Sequence, residues 1–234
     1  TEAAIEAGKD IVSANKALLA LHGQALAEAA EAKGVALRFE AAVAGGIPVI
    51  KSLMEGLAGN KITRIKGVMN GTCNYILTRM EDAGLPYDTV FEEANQLGYL
   101  EADPTLDVGG IDAAHKLALL AAIGFGVQPN FDAIELGGIE KISIEDIRAA
   151  ADMGLRIKLL GVAQMTGRGL EQSMTPCLVP ADSPLGQLKG GTNMVVIEGD
   201  AVEQVVLRGP GAGEGPTASA VMGDVIDIAR GLRL

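Results

Sequence analysis

The chain has 234 residues, of which 48% are hydrophobic and 21% charged, with 3% aromatic residues and no tryptophan. This composition predicts a folded protein with an aliphatic core and excludes a disordered chain. Thirty acidic against 19 basic residues give a formal net charge of −11, which disfavours nucleic acid and membrane surfaces as partners.

The first 45 residues predict the order helix, strand, helix, strand. An Ala- and Glu-rich helix at 2–9 runs into a strand at 10–14. The 3.6-residue apolar period of 15–33 predicts a second helix, which Gly34 ends, and 35–43 predicts a second strand. This alternation is typical of a parallel α/β sheet. Because the chain opens at Thr1 in the middle of such a unit, we expect that a segment upstream has been removed.

The rest of the chain predicts a helix-backed β layer that begins near residue 47. Helices are predicted at 49–58, from Asn70 onward, and at 86–96, 111–123, 144–153 and 217–230. Strands are predicted at 62–69, 156–165, 171–180, 193–197 and 202–207. An acidic loop is predicted up to Gly110, and a glycine-rich segment at 209–215 precedes the last helix.

The helix at 111–123 carries the clearest chemical signal. It is apolar at every position except Asp112, His115 and Lys116, which share one arc of about 100°. Because a helix that is apolar nearly all round is buried, we expect Asp112 and Lys116 to face a partly enclosed space. An ordinary ion pair on a helix surface has the same spacing, and both interpretations remain open.

Carboxylates are crowded just before this helix. Glu101, Asp103 and Asp107 lie within seven residues, and Asp112 follows them. Such crowding is costly unless cations or hydrogen-bond donors intervene, and a ligand with an ammonium group would relieve it. Alternatively, Asp107 caps the helix and Asp103 begins a turn with the following proline.

Residues 97–116, with the sequence LGYLEADPTLDVGGIDAAHK, resemble the substrate motif of the homoserine dehydrogenases. The resemblance extends over essentially the whole chain through SANK at 13–16, FEAAVAGGIP at 39–48, GVMNGTCNYIL at 67–77 and the glycine-rich segment followed by Thr217. It implies an α/β fold in three parts. These are the C-terminal half of a Rossmann-like nucleotide-binding domain at 1–47, an α+β substrate-binding and dimerisation domain with a helix-covered mixed sheet at 48–207, and a glycine-rich loop and helix at 208–234 that return to the first domain.

The resemblance implies a cytoplasmic enzyme of threonine and methionine biosynthesis, which interconverts the small molecules L-homoserine and L-aspartate 4-semialdehyde with NAD or NADP. Hydride reduction of an aldehyde creates negative charge on oxygen, which a positioned ammonium group can stabilise and protonate. By resemblance, the catalytic residues are Lys116, as proton donor, Asp112 and Lys16. The residues expected to bind substrate are Glu101, Asp112, Asp107, Thr72 and Gly71, and those expected to bind the cofactor are Lys16, Gly98, Gly213 and Asn15.

The family also holds a monovalent cation, usually sodium. The resemblance places it near Glu40, Val43, Gly45 and Ile47, chiefly on backbone oxygens. Such ligands suit a hard cation, and glycines at 45 and 46 allow the tight turn that it needs. A plain turn at the end of a strand explains the same residues.

One family feature is missing, because no G-x-G-x-x-G fingerprint for a dinucleotide is present. We therefore expect the chain as given to bind NAD(P) poorly and to have little activity. Two alternatives remain: a non-catalytic module for amino-acid binding or oligomerisation, and another NAD(P)-dependent amino-acid dehydrogenase.

Apolar residues on both faces of the strands at 195–197 and 205–207 favour a sheet extended or covered by a partner subunit, and hence a homodimer. Cys73 and Cys177 do not form a disulfide framework, which favours a reducing, cytoplasmic setting. We expect both cysteines to be structural, and we expect His22, on an amphipathic helix, to lie on the surface or to serve in packing rather than in catalysis.

Overall fold

The structure is a computed structural model, and it describes residues 1–100 and 103–232. Its helices are α1 Glu2–Glu6, α2 Lys16–Lys33, α3 Val49–Lys51, α4 Gly71–Ala83, α5 Tyr87–Gln96, α6 Pro104–Val108, α7 Ile111–Phe125, α8 Ile144–Asp152 and α9 Glu214–Ala229. Its strands are β1 Ile11–Val12, β2 Leu37–Arg38, β3 Ile62–Val68, β4 Glu135–Leu136, β5 Leu155–Thr166, β6 Gly169–Pro180, β7 Thr192–Gly199 and β8 Glu203–Pro210. Short 3-10 turns cover Glu40–Ala42 and Phe131–Ala133, and one π-helical turn, Ser52–Gly56, extends α3.

The N-terminal region is a small parallel α/β unit, as its sequence predicts. Strand β1 pairs in parallel with β2, and α2 forms the crossover between them. The side chain of Asn15 caps α2 by accepting a hydrogen bond from the Leu18 amide at 3.1 Å. Gly34 ends the helix with a left-handed φ of 65°, which glycine adopts without strain.

The predicted strand at 35–43 is wrong beyond Arg38, because the chain turns at Glu40. The Glu40 amide donates to the carboxylate of Asp224 at 2.9 Å, and the Glu40 carboxylate accepts from the amides of Ile50 and Lys51 at 2.8 and 2.9 Å. These distant partners hold a 3-10 turn at a position where the local pattern of apolar residues resembles a strand.

The second region is built on a six-stranded mixed sheet in the order β4-β6-β5-β3-β7-β8. All neighbouring strands are antiparallel except β4 and β6. Helices α4, α7 and α8 pack against the sheet, and the main core lies between them. The fold class is therefore confirmed as α/β with a helix-covered mixed sheet, whereas the three domain boundaries remain predictions.

A second apolar cluster lies away from the main core. Val196 and Met194 of β7 pack there with Leu185 and Leu188, whereas Val195 packs in the main core. Residues of this chain thus bury both faces of strand β7. A partner subunit is not needed to explain the apolar residues on both faces.

Two further boundaries differ from the sequence-based expectation. The acidic loop contains a helix, α6, which Asp103 caps by accepting from the Thr105 amide at 3.1 Å. The glycine-rich segment is shortened to 211–213, because β8 continues to Pro210 and α9 begins at Glu214. Within the described residues, no helix is long and apolar enough to span a membrane.

Candidate active site

Helix α7 is buried, and its polar arc points into a cleft. Asp112 and Lys116 are 6% and 9% exposed, and both line a cleft of about 640 Å³. The Lys116 Nζ atom lies 2.7 Å from Asp112 Oδ2. The prediction that this pair faces an enclosed space is confirmed, and the surface ion pair is wrong.

Lys16 joins the pair from the other side of the cleft. As the first residue of α2, it directs its ammonium group to Asp112 Oδ1 at 2.8 Å. One carboxylate therefore lies between two lysines. Burial alone would raise the pKa of Asp112, but the ammonium groups of Lys116 and Lys16 outweigh it and hold the pKa below its usual value.

Within residues 1–100 and 103–232, the ammonium group of Lys116 has one N–H without an acceptor. An ammonium group carries three donors. One donates to Asp112 and a second to the main-chain oxygen of Met69 at 2.9 Å, and no third acceptor is present among the described residues. The two fixed partners limit where the third N–H can point.

The N-terminus of α4 forms a second wall of the cleft. Asn70 caps this helix by accepting from the Cys73 amide at 2.8 Å, and its Nδ2 donates to Asp107 at 2.9 Å. Thr72 donates to the carbonyl oxygen of Tyr99 at 2.8 Å. Asp107 is therefore buried inside α6, and the alternative that it caps the following helix is wrong, because Gly110 precedes α7.

Gly71 and Gly45 permit the close backbone contacts that shape the cleft. A Cβ atom on Gly71 would lie 2.5 Å from the Gly191 oxygen, and one on Gly45 would lie 2.5 Å from the carbonyl of Gly211. Gly45 also has a φ of +56°, which strains any L side chain. The turn at Gly45 thus packs against the glycine-rich segment 211–213, which forms a third wall.

The structure brings most of the predicted site residues to this one cleft. Its lining includes Lys16, Gly45, Gly71, Thr72, Gly98, Asp107, Asp112, Lys116 and Gly213. Glu101 lies outside the described residues. Asn15 does not line the cleft, but borders a smaller neighbouring cavity beside Lys16 because its side chain caps α2.

Of the predicted cation ligands, Gly45 lines the cleft, whereas Glu40, Val43 and Ile47 are buried and do not line it. Burial raises the pKa of Glu40, although its hydrogen bonds from the amides of Lys51 and Ile50 oppose this. Both oxygens of its carboxylate accept those amides. The Glu40 carboxylate therefore fastens this turn to the start of α3.

Other polar groups near the cleft are structural by their contacts. The ring of His115 packs against that of Phe131 at a tilt of 31°, with ring centroids 4.5 Å apart, and burial lowers the pKa of His115. Cys73 is buried and its thiol donates to the Asp107 carbonyl at 3.2 Å, while burial raises its pKa well above the usual value. Neither Cys73 nor Cys177 forms a disulfide, as expected, and His22 is exposed.

Sequence reasoning missed two groups that contact the site. The Met69 oxygen accepts from Lys116, and the buried side chain of Asn193 donates to the same oxygen at 3.1 Å. A main-chain acceptor leaves no mark on the residue type, and Asn193 belongs to a strand whose pattern indicates only burial.

Comparisons with known proteins point to one family. A sequence model of the homoserine dehydrogenase family matches residues 48–226. The homoserine dehydrogenase of Pseudomonas aeruginosa is 49% identical over 229 residues, which cover 98% of this chain and 53% of that protein. The homoserine dehydrogenase of Bacillus subtilis is 42% identical over 231 residues, which cover 99% of this chain and 53% of that protein.

Solved structures match closely as well. The crystal structure of a homoserine dehydrogenase from Thiobacillus denitrificans has a TM-score of 0.96 and 48% identity, with 98% of this chain and 53% of that chain covered. A hyperthermophilic archaeal homoserine dehydrogenase in complex with NADPH has a TM-score of 0.86 and 32% identity, with 98% and 66% covered. The chain spans about half the length of the curated relatives that it matches.

Proposed function

Because the chain belongs to the homoserine dehydrogenase family, we propose that the protein that carries it interconverts L-homoserine and L-aspartate 4-semialdehyde with NAD or NADP. One observation carries the proposal beyond the family. Asp112 lies between Lys16 and Lys116 in a buried cleft, and Lys116 keeps one N–H for a ligand. This arrangement suits a reaction in which oxygen gains negative charge and then a proton.

The cleft offers groups for both ends of an amino acid. The substrate's ammonium group is bound by Asp112, with Asp107 as a further carboxylate in the cleft. The family resemblance adds Glu101, which lies outside the described residues. The substrate's carboxylate is bound at the N-terminus of α4, where the amides of Gly71 and Thr72 precede the capped Cys73 amide and the helix dipole favours an anion. The aldehyde or alcohol oxygen then points towards Lys116.

In the reducing direction, a dinucleotide bound beside Gly98 and Gly213 would supply the hydride that the aldehyde carbon needs. Lys116 donates a proton to the oxygen as the carbonyl bond becomes a C–O single bond, which yields the alcohol. Asp112 keeps Lys116 charged and aimed by accepting its hydrogen bond at 2.7 Å. In the oxidising direction the alcohol proton leaves through Lys116, Lys16 or a water molecule.

The glycines that line the cleft fit a cofactor that approaches the backbone closely. Gly98 and Gly213 have φ values of +73° and +113°, and no described atom lies within 4 Å of a Cβ position on Gly98. Gly98, Gly213 and Lys16 would contact the nicotinamide end, with Asn15 nearby. These proposed contacts are the same for NAD and for NADP.

A sodium ion would be held at the turn formed by Glu40, Val43, Gly45 and Ile47. Ala44 and Gly45 both have a φ of +56°, so the chain makes a tight turn there. Main-chain oxygens in such a turn suit a hard monovalent cation. The proposed role of this ion is to stabilise the turn, and the ion takes part in no step of the reaction.

The protein is further proposed to be a cytoplasmic homodimer with domains at 1–47, 48–207 and 208–234. Val206 of β8 is 39% exposed while its neighbour Val205 packs against the core, so the edge strand offers apolar surface to a partner. Nothing in the reaction scheme depends on the dimer.

The direct test uses the protein at its full natural length with L-homoserine and either NAD or NADP, and follows reduced nicotinamide by absorbance. We expect turnover with L-homoserine and with one or both cofactors. Absence of turnover with both would overturn the proposal. Lys116→Ala separates the alternatives, because a non-catalytic binding module has no use for a proton donor and would keep its ligand affinity and its function.

A further inference from the structure

Asn193 is a buried amide in the cleft wall that the proposed reaction does not use. It lies on β7, is 1% exposed, and lines the same cleft as Asp112 and Lys116. Its Nδ2 donates to the Met69 oxygen at 3.1 Å. Its Oδ1 is buried and accepts no hydrogen bond within residues 1–100 and 103–232.

The contact with Met69 fixes which way the amide faces. If the amide were turned over, Oδ1 would face the Met69 oxygen, and two acceptors would repel each other. A buried acceptor without a partner is costly, and here that cost falls on the Oδ1 side. The Nδ2 atom of Asn193 is therefore the part of the amide that makes a hydrogen bond in the site.

The Met69 oxygen accepts two donors, and the second one is Lys116. A carbonyl oxygen has two lone pairs, so the bonds from Asn193 at 3.1 Å and Lys116 at 2.9 Å use both. Met69 is fully buried and follows the last residue of β3. Asn193 thus anchors the atom that orients Lys116 without itself touching the lysine's other partner, Asp112.

The amide of Asn193 also packs directly against the glycine-rich segment 211–213, the third wall of the cleft. A Cβ atom on Gly211 would overlap both the nitrogen and the oxygen of this amide. Gly211 begins the glycine-rich segment 211–213, which includes the proposed cofactor contact at Gly213. One side chain therefore sets the spacing between the acceptor of Lys116 and the wall that faces the cofactor.

Resting on the proposed function, we propose that Asn193 is a positioning residue: by contacting both the Met69 carbonyl and Gly211, it fixes the acceptor that aims the remaining N–H of Lys116 at the substrate oxygen. Its loss misdirects proton transfer. Substrate binding changes little, because the only hydrogen bond that the Asn193 side chain makes within the described residues is to Met69, and none joins it to Asp112, Asp107, Gly71 or Thr72. A misplacement of about 1 Å in such a geometry is enough to cost roughly a hundredfold in rate.

The experiment compares Asn193→Ala and Asn193→Asp with the wild type at full natural length. Asn193→Asp keeps the volume but replaces the donor with an oxygen that faces the Met69 carbonyl. In both variants we expect kcat for L-homoserine to fall about 10- to 100-fold while KM stays within about threefold. The solvent deuterium isotope effect on kcat should increase, since proton transfer becomes slower relative to the other steps.

Val195→Ala is the matched control. Val195 lies two residues along β7, is fully buried in the main core, and makes no polar contact with the site. It reports what loss of packing in this strand does, and its solvent isotope effect should equal that of the wild type. If Asn193→Ala does not fold, Asn193→Asp alone decides.

The outcomes separate this inference from the proposed function. If the wild type does not oxidise L-homoserine, the proposed function fails, and with it the premise of this inference. If the wild type is active and a folded Asn193 variant keeps both its kcat and its isotope effect, the positioning role alone is overturned. A rise in KM at unchanged kcat also overturns it, because that result assigns Asn193 to substrate binding.

Discussion

Replacing Asp112 by Asn tests whether one carboxylate serves two lysines. The substitution keeps the shape of the side chain and removes the charge between Lys116, at 2.7 Å, and Lys16, at 2.8 Å. The side chains of Asp112 and Lys116 are 6% and 11% exposed, and removing one partner of such a buried pair costs about 3–5 kcal/mol. Lys16 is 33% exposed, so its lost ion pair adds at most about 1 kcal/mol.

Part of this free energy is lost already in the enzyme without substrate, so we expect about 3–4 kcal/mol to appear in kcat/KM. That corresponds to a loss of roughly 10²- to 10³-fold. Both kcat and KM should change, because Asp112 is proposed to contact the substrate's ammonium group as well as Lys116. Steady-state kinetics with L-homoserine, on protein whose thermal unfolding shows that it is folded, provide the measurement.

Glu6→Gln is the control for loss of one lysine–carboxylate contact. Glu6 pairs with Lys33 at the same distance of 2.8 Å, but both side chains are largely exposed and lie outside the cleft. We expect kinetics equal to those of the wild type. The reasoning is refuted if Asp112→Asn retains kcat/KM within about threefold of the wild type.

Three further perturbations test the site and its support. Lys116→Ala should abolish most turnover with little change in L-homoserine affinity, measured by calorimetry; retained turnover would remove Lys116 from proton transfer. Lys158 is buried, and burial lowers its pKa from 10.5 to about 8. Between pH 8 and 10.5 the unfolded chain therefore binds a proton that the folded chain lacks, so stability from this group rises with pH. The unfolding free energy of the wild type relative to Lys158→Met, from urea titrations, should increase by about 2–3 kcal/mol over that range, and a flat difference would contradict the burial argument. Gly45→Ala forces a side chain against Gly211 at a φ of +56° and should lower both the melting temperature and kcat/KM. Gly23→Ala, inside α2 with its nearest neighbour at 3.8 Å, should instead stabilise the protein by about 0.5–1 kcal/mol, and equal effects of the two would show that the contact with Gly211 does not matter.

Helix ends agree with the sequence-based prediction where residues close in the chain determine them. Asn15 and Asn70 cap α2 and α4, and Gly34 ends α2, because capping depends on residues three or four positions apart. The strand predicted at 35–43 does not continue beyond Arg38, because Glu40 makes hydrogen bonds with amides and a carboxylate from distant segments. Local periodicity carries no information about such partners.

The sequence by itself determined that Asp112 and Lys116 share one face of α7, because residues four positions apart lie one turn apart in a helix, and its apolar pattern predicted a buried helix. It left open whether the pair faces solvent or an enclosed space. Only the tertiary structure decided that Lys16 reaches the other oxygen of Asp112, and that Asn193 and Lys116 donate to the same oxygen of Met69. Residue patterns encode the geometry within an element. The packing of α2, α7, β3 and β7 against one another sets the distances between elements, and those distances make the site.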